Sequence, residues 1–488
     1  MKEYFKKHWK IILGLLALNI GLFAYNFLYE RVDGNSRVKY FPWLLASQII
    51  AEIILALFIG FVSKRKWKIE KIFLALFIPL GILHAVITPL NQVCDEDAHM
   101  LRAYEISKGK ISPKSEKGIG VTGDFPVEVW NAMYFWEDDD KQYNRLLENV
   151  TLEESGVVEN RQYSNAAGYL PISYIPQILG LLTGRVLHLP IVMQFYLARI
   201  FSVLFFAIVV YFAIKIVPKY KEFFVFVSLL PMVLTQAASF SADAVLIASS
   251  FLFLATVLHE IYRGDEKLSK KNLVIMVISG ALMSVIKQGA YLPLALLVLL
   301  IPTKKFDIRQ LCKKYKKPLI FALIAVPIIA LCCLPLKFLN MSFGTIFGTD
   351  PFDNLDTIFG SRLVYGHVDA PIKIYPILAL VFAVILLVKN VEVLEVKIIE
   401  KLIFALAPII ITLAIYYIAY SSWGTFKDDG RVIESVHGRY FLPFLPLIPF
   451  IVQPKKPYTS EKVSTETVML FGVFANFAVL GSKLLFNL

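Results

Sequence analysis

The feature that most constrains this chain is the recurrence of long apolar runs from one end to the other. A helix needs about 20 predominantly apolar residues to cross the hydrocarbon core of a bilayer. Thirteen such runs are present: Ile11 to Tyr29, Phe41 to Val62, Ile72 to Leu90, Ile191 to Val217, Phe223 to Ala238, Ala242 to Ile261, Leu273 to Ile286, Ala290 to Ile301, Leu319 to Leu336, Ile372 to Val388, Leu402 to Tyr420, Phe441 to Val452 and Thr467 to Phe486. With a mean hydropathy of +0.63, they predict an all-α polytopic transmembrane protein. We expect about 13 spans, and the shorter runs are candidates for broken helices.

Basic residues recur in every second connection between these runs. Short loops rich in Lys and Arg stay preferentially in the cytoplasm. The pattern therefore predicts a cytoplasmic N-terminus and places residues 91–168 on the opposite, extracytoplasmic side. It requires that the weak apolar stretch Tyr169 to Leu189 does not cross, and we interpret that stretch as a re-entrant or interfacial helix. The basic groups are Lys2 to Lys10, Lys64 to Lys68, Lys215 to Lys221, Arg263 to Lys271, Lys304 to Lys317, and Lys455 with Lys456.

Three regions follow from this arrangement. Residues 1–90 hold three N-terminal transmembrane helices, and residues 91–190 form a long first extracytoplasmic loop that ends in the interfacial helix. Residues 191–488 form the main helical bundle, with outer loops at 337–371 and 421–439. The segment 91–168 carries fifteen acidic and eight basic residues, a composition that suits a small water-exposed subdomain.

The net charge of +12 is explained by topology, because the basic excess lies in the predicted cytoplasmic loops. We therefore expect no nucleic-acid partner. The four cysteines show neither metal spacing nor a disulfide framework. The sequence also lacks a phosphate-binding loop of the Walker type, a dinucleotide fingerprint, a nucleophile elbow and a metalloprotease helix, which counts against ATP-driven transport and hydrolysis by those routes.

The clearest chemical signal is the run Asp95-Glu96-Asp97, followed by His99, directly after the third apolar run. Adjacent carboxylates repel one another, and this raises the affinity of at least one of them for a proton. A raised proton affinity suits a general base, and a cluster of carboxylates suits a metal site. A helix cap needs only one such residue. Two interpretations stay open: catalytic carboxylates, or a solvated acidic cap where the chain leaves the membrane.

Further candidates are polar residues at the predicted outer ends of later spans. A lysine between two apolar runs suits contact with a lipid phosphate, and an arginine can bind phosphate with two hydrogen bonds. Each has an alternative explanation, since basic side chains also anchor helices at the interface and a single aspartate can cap one. These residues are Arg102, Asp243, Lys287, Gln288, His437, Arg439 and Tyr440.

The acidic pair outside an early span, the long first outer loop and the many later spans resemble the GT-C superfamily of polyprenyl-phosphate-sugar-dependent glycosyltransferases. Asp95-Glu96 is similar to the Asp-Glu pair of protein mannosyltransferases. More narrowly, the chain resembles the bacterial membrane family called domain of unknown function 2142, at Asp95 to His99, Arg102-Ala103, Gly109, Ser239 to Asp243, Lys287 and Gly438-Arg439-Tyr440. This resemblance covers most of residues 70 to 455. One departure from the superfamily is that two spans precede the one that leads into the acidic loop.

The resemblance implies an inverting glycosyltransferase of the bacterial plasma membrane. Its donor would be a polyprenyl-phosphate-linked sugar and its acceptor a cell-envelope glycan or lipid. Asp95, Glu96, Asp97 and His99 would be catalytic, with Asp95 as the base. Arg102, Asp243, Lys287, Gln288, His437, Arg439 and Tyr440 would bind substrate, with Lys287 and Arg439 on the phosphate. A divalent cation such as Mg or Mn is a possible cofactor, held if at all by Asp95 and Asp97. The alternatives are a transporter or flippase of lipid-linked glycans and a glycan polymerase or ligase.

Overall fold

In a computed structural model of the chain, the described residues are 2–31, 40–116, 120–133, 142–264, 267–302, 305, 374–389, 394–420, 436–454 and 456–487. Most of them are helical. The α-helices are α1 (Lys2–Arg31), α2 (Phe41–Lys64), α3 (Ile69–Ile87), α4 (Glu96–Ser107), α5 (Val127–Ala132), α6 (Gln142–Asn149), α7 (Ser164–Ala167), α8 (Ile175–Val186), α9 (Ile191–Ile216), α10 (Lys221–Ser228), α11 (Pro231–Ala237), α12 (Asp243–Tyr262), α13 (Lys270–Val285), α14 (Ile374–Val388), α15 (Ile398–Ile418), α16 (Ile448–Val452) and α17 (Thr465–Asn487). Shorter 3-10 helices cover Pro171–Tyr174, Ile286–Gly289, Leu292–Leu300 and Gly438–Leu447.

Seven of the described helices are long and apolar enough to cross a membrane: α1, α2, α3, α9, α12, α15 and α17. Two shorter apolar segments, Ile374–Val388 and Gly438–Val452, add to them. The predicted all-α polytopic fold is therefore confirmed. The expected count of about 13 spans also included Leu319 to Leu336, which lies outside the described residues, as does the outer loop at 337–371.

The apolar run Phe223 to Ala238 is not the single span we expected but two short helices, α10 and α11. Pro231 opens α11, and it cannot donate the backbone hydrogen bond that would continue α10. Leu230, immediately before the proline, is accordingly extended. The Asn476 side chain donates to the Leu229 carbonyl at 2.8 Å, which satisfies a group exposed by the break.

Two further apolar runs also depart from regular α-helix. The run Ala290 to Ile301 contains the 3-10 helix Leu292–Leu300. The run Phe441 to Val452 begins as a 3-10 helix containing Pro443 and Pro446 and becomes α-helical at Ile448. Prolines in this spacing remove successive donors, so a regular α-helix cannot form there.

Between α3 and α9, the chain builds a small subdomain. It contains a three-stranded antiparallel sheet, β1 (Lys114–Glu116), β2 (Gly120–Pro126) and β3 (Val158–Gln162), in that spatial order. Sequence analysis did not predict these strands. The register pairs Ser115 with Val121 and Thr122 with Gln162.

The stretch that we expected to be an interfacial or re-entrant helix forms α8, which is 12 residues long and too short to cross a bilayer alone. It packs against the first half of α9. A Cβ atom at Gly180 would lie 2.4 Å from Ala198 Cα, so glycine is required for this close approach. Gln177 on α8 donates to Ser202 on α9 and to the carbonyl of Ser239, which joins the pair to the turn before α12.

Candidate functional site

Four charged side chains from distant parts of the sequence meet where α3 ends and α12 begins. Asp95 precedes α4, Asp243 opens α12, Lys287 lies in the 3-10 helix after α13, and Arg439 lies in the 3-10 helix Gly438–Leu447. Arg439 Nη2 is 2.9 Å from Asp95 Oδ2, and Arg439 Nε is 3.5 Å from Asp243 Oδ2. Lys287 Nζ is 3.2 Å from Asp243 Oδ1. We call these four residues the charged cluster.

The members of the charged cluster differ sharply in exposure. The Asp95 side chain is 34% exposed, whereas those of Arg439 and Asp243 are 2% and 4% exposed. The Lys287 side chain is 9% exposed. Two formal negative charges thus face two positive charges in a largely buried site, and Asp95 is the member that an incoming molecule can reach most easily.

Asp95 stands at the N-cap position of α4, but its side chain caps no helix amide in the part of the chain that the structure describes. Instead, Asn91 Oδ1 accepts from the Asp97 backbone N–H at 3.1 Å. Asp95 also has the left-handed backbone conformation, with φ at 63°. Such a conformation costs a non-glycine residue about 1 kcal/mol or more and is enriched at functional sites. These observations favour the functional interpretation of Asp95 over the helix cap.

Lys287 also has a left-handed backbone, with φ at 51°. Its ammonium lies 3.9 Å from the ring centroid of Tyr440, a cation–π arrangement. The Tyr440 hydroxyl lies 3.3 Å from Arg439 Nη2. The Tyr291 hydroxyl in turn donates to the Tyr440 carbonyl at 2.8 Å, which fixes the backbone beside Arg439. Tyr440 therefore contacts both cations, Lys287 through its ring and Arg439 through its hydroxyl.

Glu96, the immediate neighbour of Asp95, lies in a different environment. It is fully buried and forms an ion pair with the fully buried Arg199 of α9. Its two oxygens also accept the backbone N–H groups of Asn91 and Phe240. All of its acceptor capacity is thus used inside the protein. This placement counts against the catalytic role that we expected for Glu96 and indicates that it holds the structure around the site.

Asp97 and His99 both lie on α4. Burial, together with the charges of Asp95 and Glu96, raises the pKa of Asp97 above its ordinary value. His99 Nδ1 is 2.6 Å from the Tyr174 hydroxyl, and burial lowers the pKa of His99 to about 4. His99 is therefore a neutral imidazole at physiological pH. It interacts electrostatically with Asp95 and Asp243, so it borders the charged cluster.

Arg439 lowers the pKa of Asp95. Burial alone would raise the pKa of this carboxyl group, but the Arg439 guanidinium and its hydrogen bond hold the pKa below its ordinary value. His437 also borders the cluster, with its ring centroid 5.9 Å from that of Tyr440. Burial and the positive charge of Arg439 lower the pKa of His437 to about 3. Asp95 is thus ionised at neutral pH and His437 is not.

Of the expected substrate-binding residues, Arg102 stands apart. Arg102 does not take part in the charged cluster: its Nη2 donates to the Ile111 carbonyl at 2.8 Å, within the small subdomain. Of Gln288 the structure describes only the backbone, within Ile286–Gly289. Of the outer loop at 421–439, only residues 436–439 are described.

The possible divalent cation finds no suitable site among these residues. Across the described ranges, no group of three or more His, Cys, Asp and Glu side chains is placed to hold a metal ion. The Asp95 carboxylate is paired with Arg439, and no described contact brings it to a common point with Asp97. Among the described residues, the side chains around Asp95 therefore do not form the ligand set of a divalent-cation site.

Arg199, the ion-pair partner of Glu96, was not among the residues selected from the sequence. The signal was available, because Arg199 lies inside the apolar run Ile191 to Val217. An ionisable residue within a membrane segment marks a buried partner or a functional site by default. Tyr174 and Tyr291 were also missed, and tyrosines in apolar segments carry no comparable signal.

Comparison with known proteins identifies a family but no characterised relative. The sequence pattern of the family described as "Predicted membrane protein (DUF2142)" matches residues 76–448. No curated protein and no solved structure matches the chain. The matched range contains all four members of the charged cluster as well as Glu96 and Arg199.

Proposed function

We propose, from the premise that this chain belongs to the DUF2142 family of predicted membrane proteins, that it is a glycosyltransferase of the GT-C type. In this proposal the charged cluster moves a sugar from a polyprenyl-phosphate donor to a glycan or lipid acceptor of the cell envelope. The observation that carries the proposal is the contact between Asp95 and Arg439, which places an accessible carboxylate beside a buried guanidinium.

The reaction has two chemical demands that these residues meet. An acceptor hydroxyl must lose its proton as it attacks the anomeric carbon, and the ionised Asp95 carboxylate accepts that proton. The bond between the anomeric carbon and the lipid phosphate oxygen breaks, and the phosphate leaves with the electron pair. Arg439 and Lys287 stabilise the negative charge on the leaving phosphate. A single displacement of this kind inverts the anomeric centre.

The geometry also supports an order of binding. Within the charged cluster, Arg439 is paired with Asp95 and Lys287 with Asp243. A donor phosphate that pairs with Arg439 competes with Asp95 for the guanidinium. Release of Asp95 from Arg439 removes the interaction that depresses its basicity, so donor binding makes Asp95 a stronger base. We therefore propose that the donor binds before the acceptor is activated.

The proposal includes a location and a topology. The protein lies in a bacterial plasma membrane with a cytoplasmic N-terminus, and the charged cluster faces the extracytoplasmic side. Support comes from the basic residues that recur in alternate loops. In the fold, α3 brings the chain from the basic segment Lys64 to Lys68 to the acidic segment at the opposite end of the span.

The direct test uses the purified protein in lipid vesicles with radiolabelled undecaprenyl-phosphate sugars and cell-envelope acceptors. We expect label to appear in the acceptor with wild-type protein and not with Asp95→Asn. If the intact lipid-linked sugar crosses the bilayer without transfer, the carrier or flippase alternative is correct instead. Transfer of whole glycan chains, but not of single sugars, would favour a polymerase or ligase.

A further inference from the structure

A buried titratable group outside the charged cluster lies in the middle of α2. Glu52 is fully buried, and it stands 11 residues after Phe41 and 12 before Lys64 in a helix of 24 residues. At 1.5 Å per residue, it is about 17 Å from either end of the helix. Since the hydrocarbon core is about 30 Å thick, Glu52 lies near the middle of the bilayer.

The partners of Glu52 are neutral. Asn19 Nδ2 on α1 donates to Glu52 Oε1 at 2.6 Å, and Gln48 Nε2 donates to the same oxygen at 2.9 Å. Asn19 Nδ2 also donates to the Phe474 carbonyl on α17, and the Tyr375 hydroxyl of α14 donates to Asn19 Oδ1. Among the residues that the structure describes, no Lys, Arg or His forms an ion pair with Glu52.

At this site, the buried oxygen atoms Glu52 Oε2 and Gln48 Oε1 have no hydrogen-bond partner among the described residues. They belong to side chains four residues apart on one helix face, which are already joined through Gln48 Nε2 and Glu52 Oε1. A carboxylic acid and a primary amide pair through two hydrogen bonds, N–H to one acid oxygen and O–H to the amide oxygen. The first bond is present, and the second requires a proton on Glu52 Oε2.

The energetics lead to the same result. An ionised carboxylate without a cationic partner costs several kcal/mol or more in a low-dielectric interior, and such groups take up a proton instead. We infer that Glu52 and Gln48 form a proton-binding site in the membrane interior, in which a neutral Glu52 donates to Gln48 Oε1. This site lies outside residues 76–448 and does not depend on the proposed glycosyl transfer.

Other charged groups near this site lie toward the ends of the helices. Among the described residues, Tyr375 interacts with Glu52 electrostatically, and the buried His84 of α3 contacts Asn476, two residues from Phe474 on α17. On α17, Glu466 contacts Ser63 and Lys483 contacts Thr88, and they stand 8 and 9 residues from Phe474. At about 1.5 Å per residue, these two charges are about 12 to 14 Å along the helix from the site.

Infrared difference spectroscopy of the full-length protein in lipid nanodiscs tests the inference. At pH 7 we expect a carbonyl band of a protonated carboxylic acid that is present in the wild type and absent in Glu52→Gln. The matched control is Glu222→Gln, because Glu222 is ion-paired with Lys462 and we expect it to leave the band unchanged. Gln48→Leu should keep the band but move it to higher frequency, since the acid then loses its hydrogen-bond acceptor.

The inference is overturned if wild type and Glu52→Gln give the same carboxylic-acid band at pH 7. It is also overturned if the Glu52 carboxylate is ionised and its band responds to Na⁺ but not to K⁺, which identifies a metal-cation site instead. If Glu52→Gln does not insert into the membrane, the test uses Gln48→Leu alone. A carboxylic-acid band at the same frequency in Gln48→Leu and wild type rejects the pairing of Glu52 with Gln48.

Discussion

Glu96 and Arg199 form a fully buried ion pair in which the guanidinium uses all its donors. Arg199 donates to both Glu96 oxygens, at 2.9 and 2.5 Å, and to the carbonyls of Ala85, Thr88 and Pro89 at the end of α3. Glu96 also accepts from Phe240, three residues before Asp243. The pair thus joins α3, α4, α9 and the start of α12, and it places Asp95 and Asp243 near each other.

This pair gives the first prediction. Glu96→Gln leaves the Arg199 charge buried without its carboxylate, and loss of one partner of a buried pair costs about 3–5 kcal/mol. We expect a clear loss of thermal stability in detergent, with a smaller loss for Asp95→Asn because Asp95 is partly exposed. A Glu96→Gln protein that is as stable as wild type but inactive would restore the catalytic interpretation of Glu96.

The second prediction concerns the base. Asp95→Asn keeps the shape of the side chain but cannot accept a proton, so the transfer rate should fall by about two orders of magnitude or more. Asp97→Asn is the matched control, because no described contact joins Asp97 to Arg439, and its effect should be small. Rates are measured on folded, membrane-inserted protein. Near-normal transfer by Asp95→Asn would remove the base from the mechanism and favour the carrier alternative.

The third prediction concerns the donor phosphate. Lys287→Ala and Arg439→Ala each remove a cation from the leaving group, so the apparent KM for the lipid donor should rise and kcat should fall. Lys108→Ala is a suitable control, since Lys108 is 40% exposed and pairs with Glu154 in the small subdomain. If both variants behave like wild type, Lys287 and Arg439 are structural and the phosphate binds elsewhere.

The fourth prediction is a pH dependence. The ionised Asp95 is the active form, so kcat/KM falls as the pH drops through its pKa, which Arg439 holds below the ordinary value. Arg439→Gln removes that effect, and the acidic limb of the residual activity should therefore move to higher pH. His99 and His437, with pKa values of about 4 and about 3, titrate in the same range, and Arg439 lowers the pKa of both. The same shift measured in a background with His99→Gln and His437→Gln assigns the limb to Asp95, and an unshifted limb contradicts the assignment.

The fifth prediction tests the topology. In a background with all four cysteines changed to Ser, a cysteine at Ser155 should react with an impermeant reagent in intact cells or spheroplasts. A cysteine at Lys68, at the opposite end of α3, should react only after the membrane is opened. Both positions are exposed. The reverse pattern would invert the orientation and place the charged cluster in the cytoplasm.

The sequence by itself determined that the chain is an all-α polytopic membrane protein, because a run of about 20 apolar residues is sufficient to specify a spanning helix. It also identified Asp95, Asp243, Lys287 and Arg439 as candidates, since charged groups beside apolar runs are few. The prolines that interrupt Phe223 to Ala238 and Phe441 to Val452 are visible in the sequence. The side chain of Asn476, which satisfies the Leu229 carbonyl at the break between α10 and α11, reaches it only once α17 has packed there.

Only the tertiary structure could decide which of three adjacent carboxylates does what. Asp95 pairs with Arg439, 344 positions away, and Glu96 pairs with Arg199, 103 positions away. Consecutive residues at a helix start point in different directions, and the partner that each one meets is set by the packing of other helices. The local sequence contains the charges. Contacts across the folded chain decide how each carboxylate is paired and exposed, so that Asp95 is accessible and Glu96 is buried.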